Sequence, residues 1–199
     1  MALQVQIQFF SHLRMNCLQK KVLTYARICC DAQPHKSEKH RTCATVGGNR
    51  LQHAGDTATP TASATTMKFY LNSTISTPKA RYCTLDTTDF YLNFTLPEPE
   101  HIAIELHLML NDFIEQCNLQ SIVKNRRVLA KTWKGMHGLK QAGKIAHSGL
   151  KKHLQPHGYD PTPCTPGLWK HNKSRLTFTL IVDDFGIKCT SIEQVEHLI

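Results

Sequence analysis

The sequence predicts an α+β fold, an antiparallel sheet of about four strands backed by helices. Three patterns point there. From His101 to Leu106 the chain alternates, Ile102, Ile104 and Leu106 against Ala103 and Glu105, which is the period of a half-buried strand. Leu176 to Val182 is apolar and β-prone, Asp183-Asp184 interrupts it, and Phe185 to Cys189 runs on, so this stretch reads as a hairpin. Gln141 to His157 spaces Ile145, Leu150 and Leu154 as a helix does, with Gly158 as its C-cap and Pro161 just beyond.

The remaining elements follow in chain order. Residues 1–20 carry no motif, and Lys20 to Lys39 is basic and punctuated by Pro34. Val46-Gly47-Gly48-Asn49 is a turn signal, because glycine tolerates the positive φ of tight turns. Thr59-Pro60 predicts a helix start, with Thr as N-cap and Pro in the first position. That helix carries Met67, Tyr70 and Leu71 and stops before Thr77-Pro78. Ala80 to Leu85 reads as a short buried strand delivering Asp86. Asn111 caps a short helix holding Phe113, Ile114 and Cys117, and Val128 to Thr132 is another strand. Gly135 and Gly138 bracket a turn. Leu168 to Lys170 leads through the polar His171 to Ser174 into the hairpin. After it, Ser191 and Gln194 stand at capping-box spacing and open a last helix, within which the chain is expected to be cut short.

Composition bounds the function. The 199 residues hold 24 Lys+Arg against 15 Asp+Glu, a formal charge of +9, which attracts polyanions and nucleic acid above all. No apolar run is long enough to span a bilayer, and the first ten residues lack a secretory pattern. Asn-x-Ser/Thr triplets at Asn72, Asn93 and Asn172 are therefore read as coincidences. None of the eight cysteines falls in a Cys-x-x-Cys pair and His-Glu-x-x-His is absent, so zinc-ribbon and zinc-protease chemistry drop out and the thiols are expected reduced.

The residues that carry chemistry are acidic. Asp183-Asp184 sits at the tip of an apolar hairpin, where a solvated turn is the bland reading. Asp86 ends a strand, where a lone aspartate is commonly a cap. Should the two strands lie side by side, Asp86 and Asp183 meet at one sheet edge, and carboxylates gathered there repel each other unless cations sit between them. Hard divalent ions prefer such oxygen ligands. Two of them about 3.5–4 Å apart serve phosphoryl transfer.

Leu85-Asp86-x-x-Asp89-Phe90-Tyr91 resembles the first palm motif of reverse transcriptases. Gly138-Leu139-Lys140-Gln141-Ala142 resembles their second, in its copia-type form, and Val182-Asp183-Asp184 their third. Lys36-x-x-Lys39-His40-Arg41 with Thr45-Val46-Gly47-Gly48-Asn49-Arg50 is similar to the fingers segment of such retrotransposon polyproteins, and the likeness runs from about Lys20 to Ile199. It implies a fingers-like region at 21–80 and a palm-like region at 81–199 with the ferredoxin-like palm sheet, residues 1–20 unassigned and the thumb missing. It also implies an RNA-directed DNA polymerase, a nucleotidyltransferase. Asp86, Asp183 and Asp184 would hold two Mg²⁺, or Mn²⁺ in their place, with Asp86 and Asp183 as direct bridges and Asp184 in support. Tyr91 would close under the sugar and disfavour a 2′-hydroxyl, Gln141 would pack near the incoming nucleotide and template, and Arg41 would meet the triphosphate with its forked guanidinium. The partners implied are an RNA or DNA template with its primer, deoxynucleoside triphosphates and the other domains of a polyprotein, in a cytoplasmic particle with a nuclear product and no membrane. The chain departs from the family at Ile181, where Tyr is usual, at Cys43-Ala44 and at Thr87-Thr88. A catalytically inactive remnant that at most binds nucleic acid is the alternative, and an unrelated two-metal nuclease ranks below it.

Overall fold

The computed structural model describes residues 13–15, 23–32, 34, 40–109 and 111–198. In chain order its strands and α-helices are β1 (Leu13–Met15), β2 (Thr24–Ala32), β3 (His40–Val46), α1 (Ala64–Ile75), β4 (Arg81–Asp86), β5 (Thr95–Glu105), α2 (Asn111–Gln116), β6 (Arg127–Lys134), α3 (Ala142–Leu154), β7 (Tyr159–Pro161), β8 (Leu168–His171), β9 (Thr177–Ile181), β10 (Asp184–Cys189) and α4 (Ile192–Glu196). The fold is mixed, with two sheets and four α-helices among the described residues. The chain divides into two compact units, each assembled from two stretches: 1–57 with 91–145, and 58–90 with 146–199.

In the first unit five strands run in the order β1-β6-β5-β2-β3. All neighbours are antiparallel except β2 and β5, which pair in parallel through Thr24↔Ile102 and Tyr25↔Ala103. The sequence predicts one sheet of about four strands; its strands fall instead in two sheets, β5 and β6 in this one and β4, β9 and β10 in the other, and β2 and β3 were not foreseen because they carry no apolar alternation. The residues that β2 turns inward are Thr24 and Ala26, small and in one case polar, and its outer face holds Arg27 and Cys29. The Thr24 hydroxyl donates to the Gly47 carbonyl, which lets a polar residue sit there fully buried. Strand β5 is irregular between Thr95 and Glu100. Pro97 and Pro99 lie in that stretch and have no N–H to give the ladder. Ile102, Ile104, Val128 and Ala130 are fully enclosed, and Leu119, Leu96 and Phe113 pack with them as the core.

Val46-Gly47-Gly48 does more than turn the chain. The Val46 N–H donates to the His137 carbonyl (2.8 Å) and the Gly47 N–H to that of Tyr25 (2.9 Å). A Cβ on Gly48 would stand 2.0 Å from the Gly138 carbonyl oxygen, and one on Gly138, where φ is +93°, would stand 1.9 Å from that of Val46. Two backbone segments far apart in sequence therefore cross with no space for side chains.

The second unit is an all-antiparallel sheet in the order β4-β10-β9-β8-β7. Its core is aromatic: Trp169 and Phe178 stack with centroids 5.7 Å apart and planes 11° apart, and Phe185 lies 5.1 Å from Phe178. Leu180 and Ile187 complete it. Helix α1 begins at Ala64, not at the predicted Thr59-Pro60. Its N-cap is Ser63, whose Oγ accepts from the Thr66 N–H (3.1 Å). Ser63 is itself extended, with φ of −72° and ψ of 160°, and just before it the Ala62 N–H donates to the Leu180 carbonyl (2.9 Å), which joins this segment to β9. At the other end of the chain, the predicted capping box forms only in part. Gln194 Oε1 accepts from the Thr190 N–H (2.9 Å), and Ser191 makes no cap bond to the backbone.

Helix α1 is pinned by polar contacts, since Tyr70 and Thr74 are its buried residues. The Tyr70 hydroxyl donates to the Thr177 carbonyl (2.5 Å) and accepts from the Lys188 N–H (2.8 Å). Burial pushes its pKa up to about 12. Lys188 Nζ donates to the Ser73 carbonyl (3.1 Å), Ser73 Oγ (2.8 Å) and Thr77 Oγ1 (2.9 Å), placing a cation where the carbonyl end of the helix dipole favours one. Lys188→Met is expected to lower stability by about 1–2 kcal/mol, read as a fall in the urea midpoint at unchanged slope. An unchanged midpoint would show that the ammonium contributes nothing there.

Candidate active site

The strand order brings the predicted carboxylates together. Strand β4 ends at Asp86 and β10 begins at Asp184, and their antiparallel register sets these residues directly opposite each other. Directly opposed residues project to the same face, with Cβ atoms about 4.5–5.5 Å apart, and like charges there are destabilising. Asp183 sits in the two-residue turn closed by the Ile181↔Asp184 pair. Its carbonyl accepts from the Thr87 N–H (3.3 Å), which ties the turn to the residue after Asp86. The carboxylate facing Asp86 is therefore Asp184, not the Asp183 that the sequence predicts to meet it. A two-residue turn fixes this, because it puts the second aspartate, not the first, into the ladder.

The turn is strained. Val182 has φ of +60°, a left-handed conformation that costs a β-branched residue about 1–3 kcal/mol. Behind the tip, Phe185 and Ile187 are buried, and Gly186 faces Tyr82 and Thr179 so closely that a Cβ would lie 2.2 Å from the Tyr82 hydroxyl. A hard core thus stands directly behind the acidic tip.

The Asp184 carboxyl is held above its ordinary value of 3.8, first by burial and then by the charges of Asp183 and Asp86. The three groups are thus near enough to feel one another. The donor chemistry, carboxylate oxygens alone, suits a hard divalent cation. Among the described residues no three His, Cys, Asp or Glu side chains converge closely enough to hold a metal ion, so a cation would have to draw these carboxylates inward by side-chain rotation.

The other candidate residues fall in the first unit. Tyr91 is half-buried and stands edge-on to the His137 ring at 4.6 Å. Gln141 precedes α3 and is 7% exposed. Its Nε2 donates to Glu100 Oε1 (2.7 Å), and its own Oε1 is buried without a partner among the described residues. That bond to the Glu100 oxygen fixes which way the Gln141 amide faces. Sequence reasoning missed Glu100, which lies in the irregular Pro97-Glu98-Pro99-Glu100 stretch and carries no motif. Arg41 lies in β3 opposite Asp31. Lys36 and Lys39, which share its basic segment, lie outside the described residues.

Neither a protein-family model nor a curated protein matches the chain. The functional reading therefore stands on the carboxylate geometry and on the order of the motifs. Among the described residues no helix is long and apolar enough to cross a membrane.

Proposed function

We propose that this chain is a retrotransposon-type RNA-directed DNA polymerase segment, and that the tip formed by Asp86, Asp183 and Asp184 is its nucleotidyl-transfer centre. The observation that carries the reading is the cross-strand Asp86–Asp184 pair with Asp183 in the adjoining turn, a like-charge arrangement that a fold gains nothing by keeping. In such a centre a primer 3′-hydroxyl attacks the α-phosphorus of a deoxynucleotide, the P–O bond to the leaving pyrophosphate breaks, and the hydroxyl proton is lost to solvent or a nearby base. Divalent cations, Mg²⁺ or Mn²⁺, would supply Lewis acidity to the attacking and leaving oxygens when bound.

The protein's own share is to present the oxygens. By the motif resemblance Asp86 and Asp183 would supply the direct ligand oxygens to bound cations, and Asp184, across the ladder from Asp86, would add negative charge. The motif resemblance assigns Tyr91 to the sugar, Gln141 to the nucleotide and template, and Arg41 to the triphosphate. Template and primer, RNA or DNA, are the partners this chemistry requires, and the charge of +9 suits them. The setting that goes with it is a cytoplasmic retroelement particle.

The test is primer extension on an RNA template with Mg²⁺ and deoxynucleotides, beside Asp183→Asn. Extension by the native chain that disappears in the variant supports the reading. No extension, with RNA still bound at low salt, favours the second reading, an inactive remnant. Cleavage of the template without deoxynucleotides would point to a nuclease instead.

A further inference from the structure

The first unit holds a cavity of about 650 Å³, within the range of small-ligand sites. We propose that it binds a small phosphorylated ligand with a flat apolar body, the class of a nucleoside monophosphate. This goes beyond the polymerase reading and does not depend on it.

Charge is the first argument. Arg27 and Arg50 both line the cavity and both stand over one ring, with their guanidinium carbons 5.1 and 5.0 Å from the Tyr25 centroid. Among the described residues neither has a carboxylate partner. Tyr25 itself is held, its hydroxyl donating to Asn49 Oδ1 (3.3 Å) and its ring lying where a Cβ on Gly47 would come within 2.3 Å. The ring is thus held, and both guanidinium groups lie against it. A guanidinium presents paired donors matched to a phosphate, and two on one platform can grip a dianion.

The acid in the cavity is already paired. Among the described residues of the lining the one acid, Glu105, is already engaged by Arg127 Nη2 (3.0 Å) and lies 3.3 Å from His107 Nδ1. Lys124 adds a further cation to the lining. Arg127 is brought to the rim by a two-residue turn, in which Lys124 and Arg127 exchange both backbone bonds and Asn125 and Arg126 take φ of +51° and +62°.

Shape is the second argument. Beside the cations, on the same face of the sheet as Tyr25, Arg27 and Arg127, the lining turns apolar at Leu23, Ala103 and Leu129. A bare phosphate would leave that wall wet, whereas an organic body would cover it. Inorganic phosphate is small for the space, which has room for a sugar and a flat ring as well.

The experiment is titration calorimetry of the full chain at low salt with adenosine 5′-monophosphate and, separately, inorganic phosphate. One-to-one binding of the nucleotide, at least about tenfold tighter than phosphate, is expected. Arg27→Gln and Arg50→Gln should each weaken it by about tenfold or more. Asp183→Asn should leave it unchanged, which separates this site from the acidic tip and from the fate of the polymerase reading. Ring-proton shifts of Tyr25 on titrating the native chain give a readout that needs no variant to fold. Absence of nucleotide binding, binding indifferent to both arginines, equal affinity for phosphate alone, or loss in Asp183→Asn would each overturn the proposal.

Discussion

Gly138→Ala is expected to abolish cooperative folding of the first unit. Two penalties coincide at this position. A φ of +93° is strained for any L side chain, at about 1–3 kcal/mol. The added Cβ would also lie 1.9 Å from the Val46 carbonyl oxygen, an atom fixed in the strand-end crossing and unable to rotate away. Opening the crossing breaks the Val46 N–H bond to the His137 carbonyl and uncovers Leu139 and Met136, which are buried beside it. A combined loss above about 4 kcal/mol is a large fraction of the stability of an ordinary domain. Gly55→Ala is the matched control, since its Cβ would meet only the far end of the His53 side chain, in an exposed loop. Thermal melting followed by circular dichroism reads both. A Gly138→Ala melting temperature within about 2 °C of the native value would mean the crossing yields easily, contrary to the geometry.

That crossing shows where sequence reasoning stops. Gly47-Gly48 and Gly138 each read locally as turn residues, and nothing local says that they meet. The hairpin of β9 and β10 was legible because Phe178, Leu180, Phe185 and Ile187 form apolar runs and the aspartates interrupt them. Strands β2 and β3 were not, because Thr24 and Ala26 replace the large apolar residues that would have marked a buried face. The Thr59-Pro60 start misled because capping chemistry occurs twice within five residues, and Ser63, whose Oγ accepts from the Thr66 N–H, is the cap that forms. At the site, the meeting of Asp86 with the paired aspartates followed from strand neighbourhood. Which aspartate faces it followed from turn length, a detail that hydrophobic patterning does not encode. Glu100 was invisible because its meaning depends on Gln141, 41 residues away.

The second large effect lies at the acidic tip, and its two readouts should move in opposite directions. Asp184→Asn removes one charge from the Asp86–Asp184 pair, so stability at neutral pH should rise. The gain is under about 1 kcal/mol, because the group is exposed and solvent screens it. Its pH dependence has a definite sign. The folded carboxyl holds its proton more tightly than the unfolded one, whose ordinary value is 3.8. The native chain therefore loses this increment of stability as pH rises from below that value through the raised folded one, and the variant shows no such loss. Asp86→Asn should raise stability likewise. If the tip is the nucleotidyl-transfer centre, Asp86→Asn should also cut primer extension by at least about a hundredfold, on the scale seen when one preorganised electrostatic contact is lost. A structural role for the pair predicts the reverse, with stability falling and any loss of extension tracking the unfolded fraction. Chemical denaturation across pH 3–8 and extension assays on the same preparations separate the two. Falling stability in both variants would remove the like-charge argument on which the proposed centre rests.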